Sequence, residues 1–314
     1  MTGFEVLAAG RIGVDIYPLQ VGVGLEKVTS FGRWVGGSPT NVAVAAARHG
    51  RSAAVVTGVG DDPFGRFVRA ALEGYGVDPR YVATVPGRAT PVTFCEIFPP
   101  DHFPIYFYGR DPAPDLLVSE FDLEAVRDAA VFWVTVTGLC AEPSRSATLA
   151  ALRARDRRGI TVLDLDYRRQ FWPSRGEARR WIREALPYVS VVVGNLDECH
   201  TAVDITEPRR AAEALRGHGV DLAVVKQGPK GVLADAGSGV VEVPPMPVEV
   251  VNGLGAGDAF GGALCHGLLA GWHLLRMIRF ANAAGAIVAS RLACSDAMPT
   301  SAEIETLLEE AADG

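Results

Sequence analysis

The chain has 314 residues, 48% hydrophobic and 21% charged, which supplies a sizeable core and excludes a disordered chain. A formal net charge of −7 excludes general attraction to nucleic acid or to an anionic membrane surface, so an anionic substrate needs local positive charge. Cys95, Cys140, Cys199, Cys265 and Cys294 lie far apart, with no CxxC pair and no His at metal-ligand spacing, which suits reduced thiols in a cytoplasmic protein.

In chain order, the first predicted strand is VLAAG (6–10), with GRIGVDIYPLQ and Asp15 at its end. TSFGRWV (29–35) is a β-forming stretch that precedes a helical pattern, NVAVAAARHG, closed by Gly50. AAVVTGVG reads as a second strand and FGRFVRAALEGYG as a second helix. TPVTFCEIFPPDHFPIYFY (90–108) is again rich in aromatics and β-formers. AVFWVTV, ITVLDLD, VSVVVGN and DLAVVKQG then give apolar β-branched runs typical of strands buried on both faces. Between them lie SRSATLAALRARDRRG, closed by Gly159, and EARRWIREAL; the basic stretch from Arg153 to Arg158 reads as a solvated helix end. A helix is also expected from Arg279 to Ser290. The alternation predicts an α/β fold with a mostly parallel sheet and helices on both faces, while the two β-rich excursions suit a small lid over the sheet edge. No basic region followed by a long apolar stretch opens the sequence and no apolar run of about 18 residues occurs, so neither a leader nor a membrane span is expected.

Two loops carry the chemistry. In EVVNGLGAGDAFGGALCHGLLAG, Gly253, Gly255 and Gly257 let the backbone turn its amides toward one point, and the helix starting near Asp258 adds the positive end of its dipole. That is an anion cradle with a carboxylate beside it. The second loop, Gly36-Gly37-Ser38-Pro39-Thr40-Asn41, allows close backbone approach to a ligand and offers the Asn41 amide to sugar hydroxyls. It also serves as a helix start, with Ser38 as N-cap and Pro39 in the first turn.

GGSPTNVAVAAARHG and GLGAGDAFGGAL, about 215 residues apart, resemble the paired signatures of the PfkB or ribokinase-like carbohydrate kinases, over nearly the whole chain. The resemblance implies a three-layer ribokinase-like sandwich, with residues 1–314 as one kinase domain and lid segments at about 12–35 and 88–112. It implies ATP and Mg2+ as cofactors, Asp258 as the general base, and the amides of Gly255, Ala256 and Gly257 as the cradle for the transferring phosphoryl group. Asn195 and Glu198 match the element that helps place Mg2+ through its waters. Lys226, Gly228 and Gly231 match the nucleotide loop, and Asn282 a position lining the adenine pocket; there is no Walker P-loop. Asp15, Gly36, Gly37 and Asn41 match the residues that grip the polyol. The family's D-T-T or D-T-V is replaced by Asn252-Gly253-Leu254, which removes the usual side chains near a monovalent-cation (K+) site.

Tyr106, Tyr108 and Arg110 in the lid, with Asp166 and Arg168 after ITVLDLD, point to an acid substrate, because a guanidinium fork suits a carboxylate that a neutral sugar lacks. Arg168 has a simpler role open to it, an ion pair with Asp164 or Asp166. GRIGVDIYPLQ, PVTFCEIFPP and LDLDYR are similar to the 5-dehydro-2-deoxygluconokinase subgroup, which implies transfer to O6 of that sugar acid. A 2-dehydro-3-deoxygluconate kinase, a fructokinase or ribokinase, and a silent sugar- or nucleotide-binding regulator are the alternatives. A homodimer through the lid is the expected protein partner, since exposed aromatic ribbons seek cover.

Overall fold

A computed structural model describes residues 3–109 and 112–313. The chain runs through β1 (Val6–Ala9), β2 (Gly13–Pro18), β3 (Phe31–Gly36), α1 (Ser38–Arg48), β4 (Ala53–Gly60) and α2 (Pro63–Gly74). Two short strands, β5 (Val77–Asp78) and β6 (Val82–Val85), precede β7 (Val92–Cys95) and β8 (Ile105–Tyr108). Helix α3 (Leu123–Asp128) leads into an alternation of β9 (Val131–Thr135), α4 (Ser144–Arg155), β10 (Ile160–Asp164), α5 (Arg175–Ala185) and β11 (Val191–Asn195). Next come α6 (Leu196–Val203), α7 (Pro208–Gly217), β12 (Leu222–Lys226) and a hairpin of β13 (Val232–Asp235) and β14 (Val240–Val243). Helices α8 (Ala256–Leu269), α9 (Leu274–Ala289) and α10 (Ser301–Asp313) follow. No helix among the described residues is long and apolar enough to cross a membrane.

The larger sheet has the order β14-β13-β12-β11-β10-β9-β1-β4-β5, with β6 also on β4, and is parallel except at β12–β13 and β13–β14. Its central strands are mostly apolar because both faces are covered, with polar residues gathered at their carboxyl ends. Val6 and Ala8 of β1 join Val42, Ala263 and Phe280 on one face, where α1, α8 and α9 pack. Leu7 and Ala9 join Leu152, Ile182 and Leu215 on the other, under α4, α5 and α7. The smaller sheet, β3-β2-β7-β8, contains both predicted lid excursions.

Three local readings change. Helix α1 starts at Ser38, and its N-cap is Gly37 at φ +104° with no side-chain cap, so Ser38 does not cap. In the basic stretch Arg153 and Arg158 are exposed, as a solvated helix end requires, but Arg155 is fully buried and donates to Thr161 Oγ1 at 2.9 Å and to the Ile160 and Ala130 carbonyls at 3.0 and 3.2 Å. Asp156 and Arg157 adopt positive φ directly after it, which turns the chain back and aims that guanidinium at carbonyls between α3 and β10. Helix α9 begins five residues earlier than Arg279, at Leu274, where the His273 ring caps it by accepting from Arg276 N.

Candidate active site

The carboxyl ends of the parallel strands and the inner face of the small sheet enclose a cavity of about 70 Å3, the crevice where open α/β sheets bind ligands. Arg11, Asp15, Asn41, Arg168, Gly255 and Asp258 are among its lining residues. The two glycine loops meet there. Asn41 Nδ2 donates to Asp258 Oδ2 at 2.9 Å, joining the starts of α1 and α8 across 217 residues of chain. Close packing brings those starts together: a Cβ on Gly262 would collide with Ala45, and one on Gly261 would lie 2.7 Å from the Trp133 ring.

Gly36 and Gly37 are required by the same crowding. A Cβ on Gly36 would occupy the place of the Asp15 carboxylate, and one on Gly37 would strike the Arg11 backbone. Asp15 accepts from Tyr17 Oη at 2.8 Å, and Tyr17 in turn meets Cys294 Sγ at 2.9 Å. Burial pushes the Asp15 carboxyl up to about 6, against the Tyr17 hydrogen bond and the Arg11 charge. Asp258 is also raised by burial, with Asn41 opposing and Asp166 adding. Gly255 caps α8 at φ +83°, beside Cys294. The first amides of a helix have no intrahelical acceptor, so those of Ala256 and Gly257 face outward beyond the cap. Lys226 ends β12 with its Nζ 3.0 Å from where a Gly257 Cβ would stand. That ammonium is held charged by Asp164, Glu198, Asp258 and Asp166, which outweigh its burial.

A second group of charges lies behind this one. Asp166 bridges two arginines, its Oδ1 to Arg168 Nη2 at 2.7 Å and its Oδ2 to Arg11 Nη2 at 2.9 Å. Burial opposes ionisation of Asp166, but Arg168 and Arg11 together hold its pKa below the usual carboxylate range. Arg168 therefore has the ion pair that its sequence context offered, and Glu198 Oε1 lies 3.8 Å away on its other side. Asp164, two residues earlier, is pushed up to about 7 by burial, with Lys226 opposing and Asp166 adding. Asn195 and Glu198 form a reciprocal cap at the start of α6, with Glu198 N to Asn195 Oδ1 at 3.0 Å and Asn195 N to Glu198 Oε2 at 2.7 Å. Glu198 Oε1 is left facing the charged cluster.

Several expected residues lie elsewhere. Ile105 and Phe107 line the cavity, so Tyr106 and Tyr108 point to the opposite face of β8, 41% and 59% exposed, as strand alternation demands. The structure corrects the expectation that they touch substrate within one chain. Arg110 lies outside the described residues. Gly231, at φ +89°, allows the β12–β13 turn to pass the Val243 carbonyl, and Gly228, at φ +58°, begins that turn in open space. Asn282 Nδ2 donates to Pro244 O at 2.9 Å, tying α9 to the segment after β14. Asn252 is fully buried, donating to Leu292 O at 2.7 Å and accepting from Leu254 N at 3.1 Å, so it shapes the turn before α8. Arg11 was missed by sequence reasoning and Asp164 was read only as an alternative partner of Arg168, although both sit at strand carboxyl ends, which is the signal that could have found them.

The pfkB family carbohydrate kinase profile matches residues 4–301. Two curated relatives are named 5-dehydro-2-deoxygluconokinase: one from Shouchella clausii is 34% identical over 98% of this chain and 96% of its own. The other, from Bacillus subtilis, is 32% identical over the same shares. Among solved structures, a fructokinase from Xylella fastidiosa with bound ATP superposes with a TM-score of 0.84 at 24% identity, covering 98% of each chain, and shares the fold.

Proposed function

The chain belongs to the pfkB family of carbohydrate kinases, and from that premise we propose that it transfers the γ-phosphoryl group of ATP to O6 of 5-dehydro-2-deoxy-D-gluconate, a step of myo-inositol breakdown. The observation that carries the acid-sugar reading is the Arg11–Asp166–Arg168 triad: two guanidinium groups converge on one carboxylate in the wall of a cavity that also holds Asp258. A substrate carboxylate placed there would accept from the guanidinium nitrogen of Arg11 that Asp166 and Thr137 leave over. The names of the two relatives support the same substrate.

In this reading Asp15 and Asn41 hold the polyol and turn one hydroxyl toward Asp258. Burial makes Asp258 a stronger base than an exposed aspartate, and it takes the hydroxyl proton as the sugar oxygen bonds to the γ-phosphorus. The bond from phosphorus to the β-phosphate oxygen breaks and ADP leaves. The outward amides at the start of α8 and the Lys226 ammonium bear the charge on the transferring group. Among the described residues no cluster of three or more His, Cys, Asp or Glu could cage a metal. The donor set fits Mg2+ carried in with the phosphates, and Glu198 Oε1 and Asn195 would hold it through its waters. When bound, Mg2+ supplies charge neutralisation on the phosphates. A bound K+ is not part of the proposal, because Asn252 is neutral and both ends of its side chain are engaged. The small sheet acts as the lid, and its outward aromatics, Phe31, Tyr106 and Tyr108, are the face that a second copy would cover.

The test is ADP release with Mg·ATP against 5-dehydro-2-deoxygluconate, 2-dehydro-3-deoxygluconate, fructose and ribose. The first acid is expected to give the highest kcat/KM. Asp258→Asn is expected to lose about 10²–10⁴-fold in kcat with KM values little changed. Preference for a neutral sugar would refute the acid-sugar reading, and no turnover with any of the four would favour a binding regulator.

A further inference from the structure

We infer that Arg11 is a specificity-determining residue, a second guanidinium that binds the substrate carboxylate and sets the preference for a sugar acid over a neutral sugar; this rests on the acid-sugar reading above. Arg11 follows β1 at the carboxyl edge of the sheet, and its side chain is only 8% exposed while lining the cavity. Its guanidinium is fixed on several sides. Nη2 donates to Asp166 Oδ2 at 2.9 Å and Nε to Thr137 Oγ1 at 3.3 Å, and Thr137 itself donates to Asp166 at 3.3 Å. The rings of Phe107 and Phe171 lie 5.5 and 5.7 Å from its Cζ.

Those contacts hold the plane of the fork but leave one nitrogen over. Among the described residues Nη1 of Arg11 has no hydrogen-bond partner, and the only ion pair Arg11 makes is with Asp166, which it shares with Arg168. A buried cation that shares its single counter-ion is costly unless a further anion arrives. A carboxylate at the Arg11 side of the cavity would accept from Nη1 and give Arg11 a counter-ion that it does not share with Arg168. A neutral sugar brings no anion and leaves Nη1 without an ionic acceptor, which is how a site built around a polar group rejects the analogue lacking it. A role only as counter-ion to Asp166 would require no access to the cavity, yet Arg11 lines it.

The experiment compares wild type, Arg11→Gln, Arg11→Lys and Thr137→Val with 5-dehydro-2-deoxygluconate and with fructose, reading kcat/KM for each sugar and KM for ATP. Wild-type preference for fructose would remove the acid-sugar reading and this inference with it, before any variant is considered. Given an acid-preferring wild type, Arg11→Gln is expected to lower kcat/KM for the acid about ten- to hundredfold through KM. The fructose value should fall much less, so that the acid-to-fructose ratio drops about tenfold or more; KM for ATP should stay within about twofold, and Arg11→Lys should recover part of the loss. Equal losses on both sugars, or a parallel rise in KM for ATP, would overturn the inference and leave Arg11 as a counter-ion of Asp166. Should Arg11→Gln fail to fold, Thr137→Val keeps the charge but frees Nε. It is expected to raise KM for the acid a few-fold while leaving fructose unchanged, and an unchanged acid KM would overturn the inference equally.

Discussion

Asp258 stands in the first turn of α8, where the helix dipole favours its anion, while burial resists it more strongly and raises its pKa. Asp15 is subject to the same contest and is pushed up to about 6. Both carboxylates must be ionised in the proposed mechanism, one to accept a proton and the other to accept a sugar hydroxyl. The acid limb of kcat/KM, which reports the free enzyme, is therefore expected near pH 6, two units above an ordinary aspartate. Asp15→Asn removes the carboxyl that titrates at about 6, so the limb there should be lost and the residual limb should be the one set by Asp258. A wild-type profile with no acid limb down to about pH 5 would contradict the burial argument. Tyr17 limits the shift at Asp15, so Tyr17→Phe should move the wild-type limb upward, and a pH profile from 4.5 to 9 reads all three enzymes.

Helices α1 and α8 can place Asn41 within 2.9 Å of Asp258 only because Gly261 and Gly262 let the two backbones approach. Gly262→Val drives a branched side chain into Ala45 and the Ala46 amide, and overpacking of this kind costs about 1–3 kcal/mol. A melting temperature several degrees lower is expected, together with a fall in kcat larger than the stability loss explains, because the Asn41–Asp258 contact opens. An unchanged kcat in the folded variant would show that helix spacing does not set the site. This element scale also decides what was legible beforehand. The central strands announced themselves because burial on both faces leaves uninterrupted β-branched runs such as VVVGN and LAVVK. The edge hairpin of β13 and β14 did not, since VLAD and VVEV are four residues each and the second is half exposed. The lid was legible as two β-rich excursions, but its parity was not: composition marks aromatics without saying which face they take, so Tyr106 and Tyr108 were favoured where Ile105 and Phe107 line the cavity. The glycine loops were legible because only glycine satisfies their crowding. Arg11 and Arg155 were not, because a buried arginine looks like any other until its carbonyl and carboxylate partners are brought near by distant segments.

For the molecule as a whole, the site and the core pull stability in opposite directions as pH changes. Asp164 is held at about 7 against an ordinary 3.8, so the folded state binds the extra proton between those values and stability falls as pH rises through that window. His49 behaves in reverse. Burial, with His266, Arg51 and Arg48 nearby, lowers it from 6.5 to about 4, so its contribution is present above pH 6.5 and lost as pH falls toward 4. Each proton is worth about 1.4 kcal/mol per pH unit inside its window. Asp164→Asn abolishes the first titration and leaves the second. The stability of the variant relative to wild type is therefore expected to rise by about 2–3 kcal/mol between pH 5 and pH 8, read from urea midpoints at both pH values. A difference that stays constant across that range would mean that Lys226 fully compensates Asp164 in the folded protein. A growing difference would mean that the carboxylates gathered at the strand ends are kept for the reaction at the expense of the fold, as expected of a site that must hold several like charges before its ligands arrive.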